Sequence, residues 1–199
     1  MTGARGHRAT NRRRTGLRAR EIRPRPGVGR GSSAAAEQVS DDLRLGSGDF
    51  LGQRRRIAAL GLGAAAAYAV VGLYQFGLVG RLPEPPLPGL DAERVDAGGE
   101  AYALLRTPDA ALGLASVGVT LALTGAGNRR RNRERPWLVL AAAGKVIADA
   151  GTAALLFAEQ LTKHRRVCSW CTAAAACHLA AVPPALAKAR AALSATRSR

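Results

Sequence analysis

Residues 57–80 form an apolar run of 24 residues in which Gln75 is the only strongly polar side chain. At about 1.5 Å per residue, a helix of that length crosses a bilayer core of roughly 30 Å. Three further apolar runs follow, at 110–127, 137–161 and 167–187. The second is marginal at 18 residues, and three charged residues interrupt the third. Four such runs predict an all-α, polytopic four-helix membrane bundle. The composition agrees. Hydrophobic residues make up 47% of the chain and aromatics only 4%, and small side chains let helices approach closely in lipid.

The charge is uneven. Residues 1–56 carry 14 Arg and five acids, and so supply +9 of the net +16 of the whole chain. This stretch is low in complexity and lacks apolar periodicity, so residues 1–55 read as a disordered basic tail and residues 56–195 as the membrane domain. Arg54-Arg55-Arg56 raises the question of a twin-arginine export signal. The apolar run after it is longer than the usual 7–15 residues of such a signal, which favours a retained span. A basic tail can also hold anionic lipid or nucleic acid. Its expected role here is to keep the N-terminus on the cytoplasmic side, and nucleic acid is not an expected partner.

The loops fix an orientation. Residues 128–136 hold five Arg and one Glu, and the C-terminal tail is basic, so both belong with the N-terminus in the cytoplasm. Residues 81–109 carry six acids against three Arg and belong outside. Within this outer loop Pro83, Pro85, Pro86 and Pro88 enforce an extended entry, and residues 95–105 are expected to form a short interfacial helix. The last run should be kinked or ended by Pro183-Pro184. One loop breaks the charge rule: residues 161–167 hold Lys163, Arg165 and Arg166 on the outer side.

That loop leads into Cys168-Ser169-Trp170-Cys171. Residues three apart share a helix face, so the two sulfurs can meet. A helix N-terminus and nearby cations both favour a thiolate, so Lys163, Arg165 and Arg166 are expected to hold Cys168 in that form. Two buried structural cysteines are the bland alternative. No second ligand pair accompanies them, so zinc is not expected. Thr172 stands where covalent haem attachment would need His. Cys177 faces away and reads as a packing residue. His178 lies seven residues beyond Cys171, nearly on the same face and about 10 Å deeper, where it can bond a quinone carbonyl or relay a proton. Within the third run Lys145, Asp149, Thr152 and Glu159 form one polar stripe. It reads equally as a proton path or as an ion pair fixing helix packing.

Four spans, an acidic outer loop and a C-x-x-C opening the last helix resemble the vitamin K epoxide reductase family, as do the phrases Leu82-Pro-Glu-Pro-Pro-Leu-Pro-Gly89 and Arg166-Val-Cys-Ser-Trp-Cys-Thr172. The resemblance implies a membrane thiol–quinone oxidoreductase of the bacterial cytoplasmic membrane. Cys171 would reduce the quinone, of menaquinone or ubiquinone type, and Cys168 would take reducing equivalents from an extracytoplasmic thioredoxin-like protein. His178, Trp170 and Ala175 form the weak quinone-side set. Two departures stand out. Many members carry a second cysteine pair in the outer loop, and this chain has no Cys before 168. Members often have Tyr where this chain has Ala175. These departures leave a second reading open, a catalytically degenerate membrane scaffold of the same fold.

Overall fold

The computed structural model describes residues 33–47 and 50–197. Among them the chain is helical, and its single β feature is an isolated bridge between Leu90 and Val167. Four long helices make the bundle: α2 (Leu51–Gln75), α4 (Asp109–Gly125), α6 (Pro136–Glu159) and α7 (Ser169–Arg197). Shorter pieces surround them: α1 (Ala34–Arg44), α3 (Ala92–Asp96), a 3₁₀ turn at Gly99–Tyr102, α5 (Arg131–Glu134) and a π-turn at Gln160–His164. Each long helix packs on two others in the ring α2–α4–α6–α7, so the bundle closes on itself.

The partition of side chains identifies the solvent. The buried residues of the long helices are mostly small, such as Ala64, Ala67, Ala143, Ala174, Ala181 and Ala185. The exposed ones include Leu62, Leu73, Val119, Ile147, Leu155 and Leu179. Water would drive the large apolar residues inward. Lipid tails exert no such force, and close packing through small residues decides instead. Gly113 shows how close the approach is. A Cβ there would lie 2.8 Å from the Tyr68 ring. Three helices are long and apolar enough to cross a bilayer, while α4, at 17 residues, is shorter. The protein is an integral membrane helical bundle.

Several expected boundaries move. The part of the expected structureless tail that falls on residues 1–32 lies outside the described residues, but residues 34–44 form α1. Ala34-Ala35-Ala36 are strong helix formers, and Asp42 anchors the helix by accepting the backbone N–H of Arg129 at 3.3 Å. The first span begins at Leu51 rather than 57 and ends at Gln75 rather than 80. The expected helix at 95–105 is instead α3 followed by the 3₁₀ turn. α7 runs through Pro183 and Pro184 to Arg197 instead of stopping there. Proline is tolerated in a membrane helix whose freed carbonyls find other partners.

The early start of α2 has a purpose. Arg54 is 3% exposed, and its guanidinium donates to the carbonyls of Thr124, Gly125, Ala126 and Gly127 at 2.5–2.9 Å. Arg131 donates to those of Leu123, Thr124 and Ala126 at 2.6–3.1 Å. Two cations therefore satisfy the orphan carbonyls at the C-terminus of α4 and meet the negative end of its dipole. Burial and the nearby Arg54 push Arg131 down to about 10.

Candidate functional site

The opposite end of the bundle is built around Gln75, the one polar residue of the first run. Its side-chain nitrogen donates to Oδ1 of Asp109 at 2.6 Å and to the backbone carbonyl of Asp96 at 3.3 Å. Its side-chain oxygen accepts the N–H of Ala110 at 3.2 Å. One amide thus joins the end of α2 to the start of α4 and to the end of α3.

Cys168 sits just before α7. Its carbonyl accepts the N–H and the hydroxyl of Thr172, and its sulfur accepts the N–H of Cys171 at 3.2 Å. The sulfur stands where a capping oxygen would normally be, which brings the two cysteines to one side of the first turn as their spacing predicts. The N–H of Cys168 donates to Oε1 of Gln160 at 2.9 Å, a residue of the π-turn that closes α6. Both cysteines are free thiols.

The proline-rich segment 82–91 lies across this turn as a strap. The Trp170 indole N–H donates to the Pro83 carbonyl at 2.7 Å. The Glu84 carboxylate accepts the N–H of Ser169 through one oxygen and that of Ala92 through the other, each at 2.7 Å. The N–H of Val167 donates to the Gly89 carbonyl, and that of Asp91 to the Val167 carbonyl. The two phrases on which the sequence resemblance rests are therefore bonded to each other. Beneath the strap Cys168 is 0% exposed, packed among Leu82, Ala92 and Val95.

Cys171 is half-buried and lies on the wall of a cavity of about 460 Å³, within the range of ligand sites. The cavity reaches from Asp96 and Cys171 past Ala175 to Tyr68, His178 and Asp149. At its deep end the Tyr68 hydroxyl and Nε2 of His178 are hydrogen-bonded at 3.2 Å. At its other end Asp96, 1% exposed, accepts a hydrogen bond from the Cys171 thiol, with Sγ and Oδ1 3.3 Å apart. Burial pushes the Asp96 carboxyl up to about 6; the adjacent Cys168 and Cys171 thiols oppose this, while Asp109 and Glu84 add to it.

Cys171, Ala175, His178, Asp149 and Glu159 all line the cavity. Trp170 is placed differently, held to Pro83 in the strap. Lys145 lies behind the wall, paired with Asp149 and donating to Ser116 Oγ at 2.7 Å. Asp149 also accepts the Ser116 and Thr120 hydroxyls at 2.7 and 2.6 Å. Glu159 stays on the cavity wall with Asp149 and Thr152 and pairs with Lys163 at 3.0 Å. Arg165 and Arg166 are exposed, and the charged side chain hydrogen-bonded to the Cys171 thiol is the Asp96 carboxylate. Cys177 packs at the α2 interface, where a Cβ on Gly63 would meet its sulfur at 3.2 Å.

Asp96, Gln75, Glu84 and Tyr68 carried no site assignment in the sequence. Gln75 had a signal, being one polar residue in a membrane run. The donor atoms of Asp96, Cys168 and Cys171 lie within 4.8 Å of one another. Three donors are one short of a closed structural zinc site.

Fold and site together define a class, an integral-membrane helical bundle with a C-x-x-C dithiol whose second cysteine lines a cavity. A sequence model of the vitamin K epoxide reductase family matches residues 55–186, more than half of the chain. The chain belongs to that family, whose members are in general membrane thiol–quinone oxidoreductases. No curated protein and no solved structure matches it.

Proposed function

We propose that this protein oxidises partner thiols and passes the electrons to a membrane quinone, with Cys168 and Cys171 cycling between dithiol and disulfide. The observation that carries the reading is the position of Cys171, on the wall of a cavity of about 460 Å³ with Cys168 behind it. Cys171 faces the quinone, and Ala175 and His178 line its site. Cys168 exchanges with the partner, an extracytoplasmic thioredoxin-like protein. No cysteine precedes 168, so the partner must reach this pair directly, and the strap over Cys168 must lift for it to do so. The quinone is of menaquinone or ubiquinone type. In this reading the Arg54–Arg131 end of the bundle faces the cytoplasm and the dithiol end faces outward, with both termini in the bacterial cytoplasm, as the basic loops and tails favour.

Thiol trapping in membranes tests this. A Cys168–Cys171 disulfide that forms only when quinone is supplied is the expected result. Both cysteines remaining alkylatable in quinone-replete, oxidising membranes would overturn it.

The absence of loop cysteines favours a second reading, a scaffold of the same fold without turnover. Complementation of a disulfide-formation defect separates the two. Rescue by wild type but not by Cys171→Ala supports the enzyme, while equal rescue, or rescue by neither, supports the scaffold.

A further inference from the structure

Dithiol oxidation by a quinone releases two thiol protons and consumes two at the quinone oxygens. The groups that carry those protons must touch the sulfur and border the quinone space. His178 lies deep and is bonded to Tyr68. Asp109 borders the cavity but is held by Gln75. Asp149 accepts from Ser116, Thr120 and Lys145.

Asp96 differs from all three. Its Oδ1 lies 3.3 Å from Cys171 Sγ, and the residue lines the cavity beside that thiol. Its Oδ2 is buried and has no hydrogen-bond partner among the described residues. One oxygen already receives the thiol hydrogen, and the other has free capacity. Its backbone carbonyl is tied to Gln75, so the carboxylate is positioned from the α2 side as well as by α3.

We propose that Asp96 is a catalytic residue, the proton acceptor of the Cys171 thiol and the donor of that proton to the quinone. This rests on the quinone reading given above. The Cys171 S–H proton passes to the Asp96 carboxylate as the sulfur gives up electrons to the quinone. Cys168 releases its own proton to water, and the S–S bond forms between the two cysteines. The dithiol loses two electrons and two protons. The quinone gains two electrons, one proton from Asp96 and a second from water, and leaves as hydroquinone.

The surroundings suit a carboxyl that titrates near neutrality. Glu84 faces it from the strap, Asp109 from α4, Tyr74 from α2, Cys168 from just before α7 and Cys171 from its first turn. His164 and Glu159 share the cavity wall from the α6 side. Glu93 and Arg94 flank it on α3. Burial together with Glu84 and Asp109 holds the carboxyl at about 6, close to the working range a proton carrier needs.

Two measurements on the full-length protein in nanodiscs test the proposal. In the first, pre-reduced protein is mixed with a soluble naphthoquinone, and disulfide formation is followed from pH 5 to 8. The wild-type rate should fall below about pH 6. Asp96→Asn should be slower by about 100-fold at pH 7.5, in the range for loss of a general base, and should lack that acid limb. Asp96→Glu should keep a limb. An Asn variant within twofold of wild type and with the same limb would overturn the proposal.

The second measurement uses no quinone. In Cys168→Ser protein the alkylation rate of Cys171 is followed against pH. A break near pH 6 that disappears in Cys168→Ser/Asp96→Asn supports the proton contact between Asp96 and Cys171. A break that survives, or a wild-type Asp96 profile with none, overturns it. Should the break behave as expected while quinone oxidises nothing, the quinone reading fails and the Asp96–Cys171 proton contact stands.

Discussion

Glu84 and Ser169 are 85 positions apart, yet a carboxylate oxygen of the first accepts the backbone N–H of the second at 2.7 Å. Because the other oxygen takes the N–H of Ala92, one side chain closes the strap onto the helix that carries the dithiol. Glu84→Gln keeps one acceptor oxygen and should leave one helix N–H unmet, at a cost of about 1–2 kcal/mol to strap closure. Opening should become roughly tenfold more frequent. The measurable consequence is faster alkylation of the buried Cys168 in Cys171→Ser protein, with global stability nearly unchanged. An unchanged Cys168 rate would mean that the strap is held elsewhere.

Asp96 also gives the protein a pH-dependent stability. Its carboxyl rises from 3.8 to about 6 on folding. A group raised in this way supplies relative stability below its unfolded value and loses it as pH rises through the folded one. The window is therefore about pH 4–6, and the ionised form above it is the less stable. The full shift corresponds to an upper bound on the order of 3 kcal/mol. Asp96→Asn should match wild type near pH 4 and unfold at a higher temperature at pH 7–8. A Tm difference that stays flat across that window would contradict the assignment. Greater stability together with slower turnover is the expected mark of a group kept for chemistry.

At the other end, Arg54 should be worth far more than its neighbours in the arginine triplet. Arg55 and Arg56 are exposed, whereas Arg54 fills the C-terminus of α4. Arg54→Met would strand several buried carbonyls and leave Arg131 to cover them, a loss of about 2–4 kcal/mol. Arg55→Met and Arg56→Met should change stability by less than about 0.5 kcal/mol. Thermal unfolding in detergent compares the three, and equal effects would show that the triplet acts only as a topology signal.

The bundle was legible in the sequence because lipid demands long apolar helices, and their lengths show directly in the runs at 57–80 and 137–161. The dithiol was legible because its spacing fixes one helix face. What the sequence did not show is what comes from far away in the chain. Asp96 is one acid among six in an acidic loop, and nothing local distinguishes it. Only the fold of α3 against α7 sets it on Cys171. Cations two to five residues before Cys168 were the nearer charges along the chain, but Lys163 turns back onto Glu159. Arg54 reads as one third of a basic triplet until α4 is packed beside it. α7 outlasts its prolines because its second half packs in the bundle, where Ala185, Lys188 and Ala192 are buried.

The polar stripe of α6 can now be divided. Both carboxylate oxygens of Asp149 are committed, Oδ1 to Ser116 and Lys145 and Oδ2 to Thr120. A relay needs a group with an acceptor to spare, and Asp149 has little. The geometry fits an ion pair that locks α4 against α6, since Ser116 and Thr120 belong to α4. Lys145→Met should leave the Asp149 charge unpaired within the bundle and cost about 3–5 kcal/mol. Asp149→Asn should do the same to Lys145. The double variant should recover most of the loss, because two neutral side chains leave no buried charge, giving a coupling energy in the cycle larger than the loss in either single variant. Quinone-driven disulfide formation in the double variant should stay within about threefold of wild type, far less than the 10²–10⁴ of a lost proton carrier. A double variant that is stable yet slowed about 100-fold would restore the proton-path reading of the stripe and place a second acid beside Asp96 in the chemistry.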